Sequence, residues 1–520
     1  MTIVLTGFMA AGKSAAAEAL AERLGLTALD SDAQVAADAG MTVAEIFERE
    51  GEAGFREREE RAMLELLDSG AEIVALGGGA LGSERVREAV ARHTVVWCDV
   101  DEESAWERAS DDGERPLAAD RDAFSQLFAE RKPLYESLAQ VTLPADARDA
   151  AAAAAPWIAA IGDDPGLRMA WAESASGSYP AVVGEGAAGV LDRVRAASPE
   201  SVPARSFCIA DERVAQLHPG LLPAAEATIA VEGAESSKTM AEAERVLRDL
   251  AAAGARRDDL VVAVGGGCVG DLAGFCAATY QRGVPVVQLP TTIVAQVDSA
   301  YGGKTGVDLP DAKNYVGAYH QPLAVLADPT VLATLPPEET AAGFAEVVKT
   351  ALIAGGGLWE RVRTGGPIAE LPPEELGRVV FDCARTKIAV VASDERDSGR
   401  RAVLNLGHTV AHAIEAVTGF ERYRHGEAVG LGLLAALRLS GADELRAEVS
   451  ELLAANGLPV TLDAGVDPAA VADATARDKK ASAAGLGFVL IEQPGEPRWG
   501  QPVEGDRVKA AVAELSEIER

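Results

Sequence analysis

Apolar positions along the chain fall into two alternating patterns. Short runs rich in β-branched residues (Ile3–Leu5, Ile73–Leu76, Thr94–Trp97, Val261–Val264 and Val286–Leu289) are separated by longer Ala/Glu/Arg-rich stretches with helical spacing. Such alternation predicts βαβ units and parallel sheets, an α/β fold. The alanine-rich segment 147–160 reads as a closing helix, and Gly162-Asp163-Asp164-Pro165-Gly166 after it reads as a breaker cluster and linker. A new strand-and-turn pattern begins near Tyr179, and after about Glu338 helical periodicity takes over. The expected organisation is a first domain over 1–163 and a second over 164–520. The second has an α/β half to about 337 and a mainly helical half from about 338.

A chain of 520 residues exceeds one core of about 100–200 residues, so more than one domain is expected. The formal net charge of −33 is spread along the chain, which argues against nucleic acid as a partner, because phosphate backbones require a basic footprint. No apolar run has the about 20 residues of a membrane span, and the start MTIVLTG lacks a basic leader region. Five scattered cysteines with no CxxC pair suit a reducing compartment. The expectation is a cytoplasmic enzyme acting on small molecules.

Gly7-Phe8-Met9-Ala10-Ala11-Gly12-Lys13-Ser14 fits GxxxxGK[ST] directly after the first β run. Glycines there let main-chain N–H groups wrap a phosphate, a lysine neutralises its charge, and a Ser/Thr hydroxyl suits Mg²⁺. Further stretches follow in order: Leu29-Asp30-Ser31-Asp32, Gly54-Phe55-Arg56 with Glu59, Gly77-Gly78-Gly79-Ala80, Arg115-Pro116-Leu117 and Arg131-Lys132-Pro133-Leu134-Tyr135. Together they resemble shikimate kinase over residues 1 to about 160. The resemblance implies ATP at Ala10, Ala11, Gly12, Lys13, Ser14, Ala15, Arg108 and Arg115. It implies Mg²⁺ at Ser14 and Asp30, and shikimate at Asp32, Arg56, Gly78 and Arg131. Asp32 would accept the proton of the attacking hydroxyl, with Lys13 and Arg115 stabilising phosphoryl charge. Ala10 departs from the glycine usual in the family and predicts strain if its φ is positive. Gly77–Gly82 also satisfies GxGxxG, but a nucleotide loop already follows the first strand, so no dinucleotide site is assigned there.

In the second half, Gly265-Gly266-Gly267-Cys268-Val269-Gly270-Asp271 follows the strand candidate Leu260–Val264 and opens a helical segment, which suits a pyrophosphate. Three of the six histidines lie at 408, 412 and 425. His408 and His412, at i and i+4, share a helical face, so spacing alone allows either a metal pair or two histidines bonded to carboxylates or carbonyls. The ordered stretches resemble 3-dehydroquinate synthase. They include Tyr280–Gly283, Pro290–Thr292, Gln296–Ser299, Gly302–Thr305, Lys313-Asn314, Ala345–Lys349, Asp394–Arg396, Asn405–Thr409, His425–Glu427 and Arg477–Lys480.

The resemblance implies an α/β NAD-binding half and a helical metal and substrate half. Zinc, or cobalt, would be held by Glu346, His408 and His425. NAD would lie on Glu235, Lys238, Gly267, Cys268, Val269, Gly270, Asp271, Thr291, Thr292, Lys304 and Lys313. The substrate, 3-deoxy-arabino-heptulosonate 7-phosphate, would meet Asp298, Lys304, Lys313, Asn314, Lys349, Arg401, Asn405, His412 and Lys480. Of these, Lys304, Lys349, Arg401, Asn405 and His412 would carry catalysis. The resemblance also allows a homodimer through this half. Competing readings are a gluconate kinase or an inactive nucleotide sensor for the first domain and a zinc polyol dehydrogenase for the second. The Asp32, Arg56 and Arg131 set argues against a gluconate kinase, intact Lys13, Asp32 and Arg115 against an inactive sensor, and the pocket lysines against a polyol dehydrogenase.

Overall fold

The computed structural model describes residues 2–111, 120–145, 148–162, 164–310, 312–397, 399–481 and 487–516; the side chains of 111 and 476–481 lie outside the description. Arg115 and the Lys480 side chain are therefore not among the described groups. The chain forms two compact units, Met1–Trp171 with Gly189–Val202, and Ala172–Ala188 with Pro203–Arg520. Among the described residues, no helix is long and apolar enough to cross a membrane.

The first unit is built on strands β1 (Ile3–Thr6), β2 (Ala28–Asp30), β3 (Ile73–Ala75), β4 (Thr94–Asp99) and β5 (Val141–Pro144), all parallel, in the order β2-β3-β1-β4-β5. Strand β1 is central and buried at every position, which explains its unbroken apolar run. The helix Lys13–Leu24 leaves the end of β1 and packs against Arg148–Ile161. Both present buried alanines (Ala16, Ala17 and Ala19 against Ala150, Ala151, Ala154 and Ala155), so the alanine-rich pattern is a close helix–helix seam. The breaker cluster does not coincide with the edge of this unit. Gly162 ends the helix at φ 61°, Asp164 Oδ1 accepts from the Gly166 N–H at 3.0 Å, and the start of β6 (Arg168–Ser174) pairs with β5. The helix Val190–Ala197 packs back on Arg148–Ile161, so strand pairing and helix packing extend the unit past the turn.

The second unit carries β7 (Gly177–Val183), β8 (Ser206–Asp211), β9 (Ala227–Val231), β10 (Leu260–Gly265), β11 (Val286–Pro290), the hairpin β12 (Lys304–Leu309) and β13 (Ala312–Tyr319), and β14 (Ala324–Ala327). Its parallel sheet runs β7-β14-β11-β10-β8-β9. From β8 the chain moves outward to β9; from β10 it moves the other way to β11. The glycine loop after β10 therefore opens beside a switch point, where α/β sheets bind ligands. Helices follow as the sequence predicts, including Pro337–Ala354, Pro373–Ser393, His408–Val417 and His425–Ser440. The helical half also holds a small antiparallel hairpin, β15 (Phe488–Ile491) and β16 (Pro497–Gln501), which the periodicity did not reveal.

Candidate active sites

In the first unit the phosphate loop spans from β1 to the helix Lys13–Leu24, with Ala10 at φ 60° and Gly12, its N-cap, at φ 82°. Lys13 Nζ donates to the Phe8 carbonyl at 3.0 Å. Ser14 Oγ donates to Asp30 Oδ2 at 2.7 Å, which brings together the two groups expected around Mg²⁺. Asp30 Oδ1 also caps the helix Ser31–Ala39 through the N–H groups of Asp32 and Ala33. Arg108 lies near the loop, its Nη1 3.4 Å from the Ala10 carbonyl.

Gly78 and Gly79, in the turn after β3, line a cavity of about 810 Å³ together with Arg56, Glu59, Arg131 and Tyr135, among others. A Cβ on Gly77 would sit 2.5 Å from Glu59 Oε1 and 2.6 Å from Asp32 Oδ1. Gly77 thus leaves room for the two carboxylates. Glu59 is buried and accepts from Arg56 Nη1 at 2.6 Å; burial raises its pKa although Arg56 opposes this. Arg131 Nη1 and Tyr135 Oη both donate to the Gly78 carbonyl, at 3.1 and 2.6 Å. They sit one turn apart on the helix Arg121–Leu138. The stretch Arg131–Tyr135 contains Tyr135 without implying this contact for it.

In the second unit the glycine loop faces a narrow cleft lined by Gly265–Gly267, Gly270, Asp271, Ser299, Lys304 and His320. A Cβ at Gly267 would lie 2.9 Å from Ser299 Oγ, and one at Gly270 2.9 Å from Gln288 Oε1, so side chains would fill the cradle. Thr291 Oγ1 is buried there and has no hydrogen-bond partner among the described residues. Asp271 pairs with the buried Lys238 at 2.7 Å, and Lys238 also donates to Asn314, which holds φ 55° on the hairpin. Cys268 Sγ donates to Glu235 Oε2 at 2.9 Å, and Lys313 Nζ lies 3.7 Å from Glu235 Oε1. Val269 is buried under the loop.

Glu346, His408 and His425 converge: each offers one ligand atom, and these atoms lie within 4.8 Å of one another. His408 Nε2 is 3.6 Å and His425 Nε2 3.4 Å from Glu346 Oε1. The approach depends on Gly426, where a Cβ would come 1.8 Å from the Ala342 carbonyl oxygen; the small residue lets the helix His425–Ser440 start against the Glu346 helix. His412 is exposed, with its ring centroid 5.5 Å from that of His408 and 6.3 Å from that of His425. Helical spacing thus puts His408 and His412 side by side, but the carboxylate meets His408 and His425.

Beside the triad lies a buried charge cluster. Lys349 Nζ is 2.5 Å from Glu346 Oε2 and 2.8 Å from Asp298 Oδ2, and Lys387 donates to the Asp298 carbonyl at 2.6 Å and to its carboxylate. Burial opposes ionisation of Glu346, but Lys349 and the two histidines outweigh it and hold the carboxyl well below its usual range. Burial likewise opposes the Asp298 charge, yet Lys349 and Lys387 hold its pKa low. Burial pushes His408 down to about 3, whereas the Glu346 and Glu415 carboxylates overcome burial at His425 and lift it to about 10.

Lys387 lies in none of the sequence motifs. A signal was present: it falls on the apolar stripe Val380-Ala384-Lys387-Val391 of Pro373–Ser393, where a lysine is out of place. Lys304 is exposed and pairs with Asp397 at 2.6 Å. Asn405 is exposed at the end of a short 3₁₀ turn. Arg401 is buried, and its guanidinium donates to the main-chain carbonyls of Glu395 (2.6 Å) and Gly302 (3.4 Å), so it braces the loops around the pocket.

Comparison with known proteins bears on both units. Residues 9–161 match the family model of shikimate kinase. Residues 228–342 and 343–481 match those of the 3-dehydroquinate synthase N-terminal and C-terminal regions. The chain is 44% identical over 353 residues to the 3-dehydroquinate synthase of Symbiobacterium thermophilum, covering 65% of this chain and 98% of that protein. Among solved structures, 2-epi-5-epi-valiolone synthase from Streptomyces hygroscopicus, with NAD+ and Zn2+ bound, is similar at 26% identity and a TM-score of 0.58, over 65% of this chain and 97% of that one. So is 2-deoxy-scyllo-inosose synthase complexed with carbaglucose-6-phosphate, NAD+ and Co2+, at 26% identity and a TM-score of 0.57, over 66% and 99%.

Proposed function

Because the chain belongs to the 3-dehydroquinate synthase family and carries a shikimate kinase domain ahead of that part, we propose that its two sites are the two corresponding catalytic centres. The first phosphorylates shikimate with ATP. The second converts 3-deoxy-arabino-heptulosonate 7-phosphate to 3-dehydroquinate and phosphate. The observation that carries the second assignment is the meeting of Glu346, His408 and His425 beside the Asp298–Lys349 cluster.

In the kinase site, ATP with Mg²⁺ would lie on the loop from Ala10 to Ala15, with Ser14 and Asp30 toward the metal. Lys13 offsets phosphate charge, and the main-chain N–H groups at the helix start add their dipole. Arg56 and Arg131 suit the shikimate carboxylate, since a planar fork matches two oxygens. Asp32 accepts the proton of the attacking hydroxyl.

In the synthase site, two histidine nitrogens and one carboxylate oxygen suit zinc or cobalt, and the cradle closed to any Cβ suits a pyrophosphate. When bound, zinc supplies a Lewis acid and NAD a hydride acceptor that is restored within one turnover. Glu346, His408 and His425 would hold the metal, and the glycine loop with Thr291, Thr292, Glu235 and Lys238 the cofactor. Lys349 fixes the Glu346 carboxylate and keeps it ionised. The exposed cations Lys304 and Lys313, with Asn314, Asn405 and His412, are available to the substrate's phosphate and carboxylate. Lys387 joins them through its bond to Asp298. The five free thiols, four of them buried, suit the reducing cytoplasm as the place of action.

Lys13→Ala separates the centres. On one preparation, phosphorylation of shikimate should vanish while phosphate release from the heptulosonate substrate persists. Loss of both in a folded variant would overturn the assignment of two independent sites.

A further inference from the structure

The two histidines of the triad present the same edge to Glu346. For each, Nε2 faces the carboxylate, so Nδ1 points away and needs a partner that fixes ring and tautomer. His408 finds one in its own turn: its Nδ1 lies 3.2 Å from the Leu406 carbonyl. Among the described residues, His425 Nδ1 has no such local carbonyl. It opens its helix, its side chain is 42% exposed against 12% for His408, and packing restrains it less. What faces its Nδ1 is Glu415 Oε1, at 3.4 Å. Glu415 is 6% exposed and lies two helical turns after His408 on the same helix. A carboxylate kept this far from water needs a reason, because burial of an unsatisfied charge is costly.

We propose that Glu415 is a positioning residue for the metal site, accepting the Nδ1–H of His425 so that Nε2 is presented as a ligand. This rests on the reading of Glu346, His408 and His425 as metal ligands. Glu415 does not touch the metal position. It ties the helix that carries His408 to the start of the helix that carries His425, so one side chain sets the spacing of two ligands. A carboxylate behind a ligating imidazole also makes the ring a stronger donor, and loss of such partners weakens metal binding by about 10–100-fold.

The test is zinc affinity of the full chain, measured by chelator competition, together with the visible ligand-field bands of the cobalt-loaded protein. Glu415→Ala should bind zinc about 10–100-fold more weakly and shift the cobalt bands. Glu415→Gln, which keeps an acceptor oxygen in place, should recover part of both. If Glu415→Ala does not fold, Glu415→Leu fills the same buried space without an acceptor and carries the same expectation. Zinc affinity and cobalt bands unchanged from wild type in the folded variants would overturn the proposal. Failure of the underlying reading would look different: the wild-type chain itself would bind no zinc, or His408→Ala would bind it undiminished.

Discussion

Ala10 holds φ 60° in the phosphate loop, a conformation that disfavours any side chain with a Cβ. Ala10→Gly should therefore stabilise the full chain by about 1 kcal/mol against chemical unfolding, the left-handed penalty less the added freedom of the unfolded chain. No gain would mean that the loop relaxes in solution. Tyr135 makes a second prediction at this scale. Its hydroxyl holds the Gly78 carbonyl that Arg131 also uses. Tyr135→Phe keeps the ring and removes one hydrogen bond of about 1 kcal/mol, so the KM for shikimate should rise about fivefold. The KM for ATP should stay put; a parallel rise in both would show a general loss of order instead. Neither the strain nor the Gly78 bond can be read from residue names alone, although Ala10 was visible as a departure from the family's glycine.

At the scale of elements, the proposed metal triad of Glu346, His408 and His425 depends on how closely two helices approach. Gly426 sits where a Cβ would come 1.8 Å from the Ala342 carbonyl oxygen. Gly426→Ala must push the helix His425–Ser440 away from Pro337–Ala354, and overpacking of this kind costs about 1–3 kcal/mol. The displaced His425 should weaken zinc binding, while shikimate phosphorylation is unaffected. Zinc bound as tightly as in wild type would show that the ligand geometry does not rely on this contact. The helices themselves were legible from apolar spacing, but their crossing points were not. Periodicity shows which face is buried without showing against what.

For the whole molecule, two chemistries rest on two separate sets of residues. A zinc-selective chelator should stop phosphate release from the heptulosonate substrate and leave Mg²⁺-dependent phosphorylation of shikimate running. Readdition of zinc should restore the first activity. Inhibition of both activities by such a chelator would contradict the division. The architecture that carries each site was largely readable in the chain, from the alternation of β runs with helical stretches, the GxxxxGK[ST] loop after β1 and the glycine run after β10. These are local signals, because a turn, a strand period or a phosphate cradle is set by neighbours in sequence. The edge of the first unit was not readable, since it follows strand pairing beyond the glycine turn rather than the turn itself. Nor was the grouping of Glu346 with His408 and His425, which only family likeness suggested while helical spacing favoured His412. Lys387 behind Asp298 and Glu415 behind His425 belong to the same class. Such groups come from separate elements, and a ligand set or a buried ion pair exists only once packing has brought them within a few ångströms in a medium too dry to leave a charge unpaired.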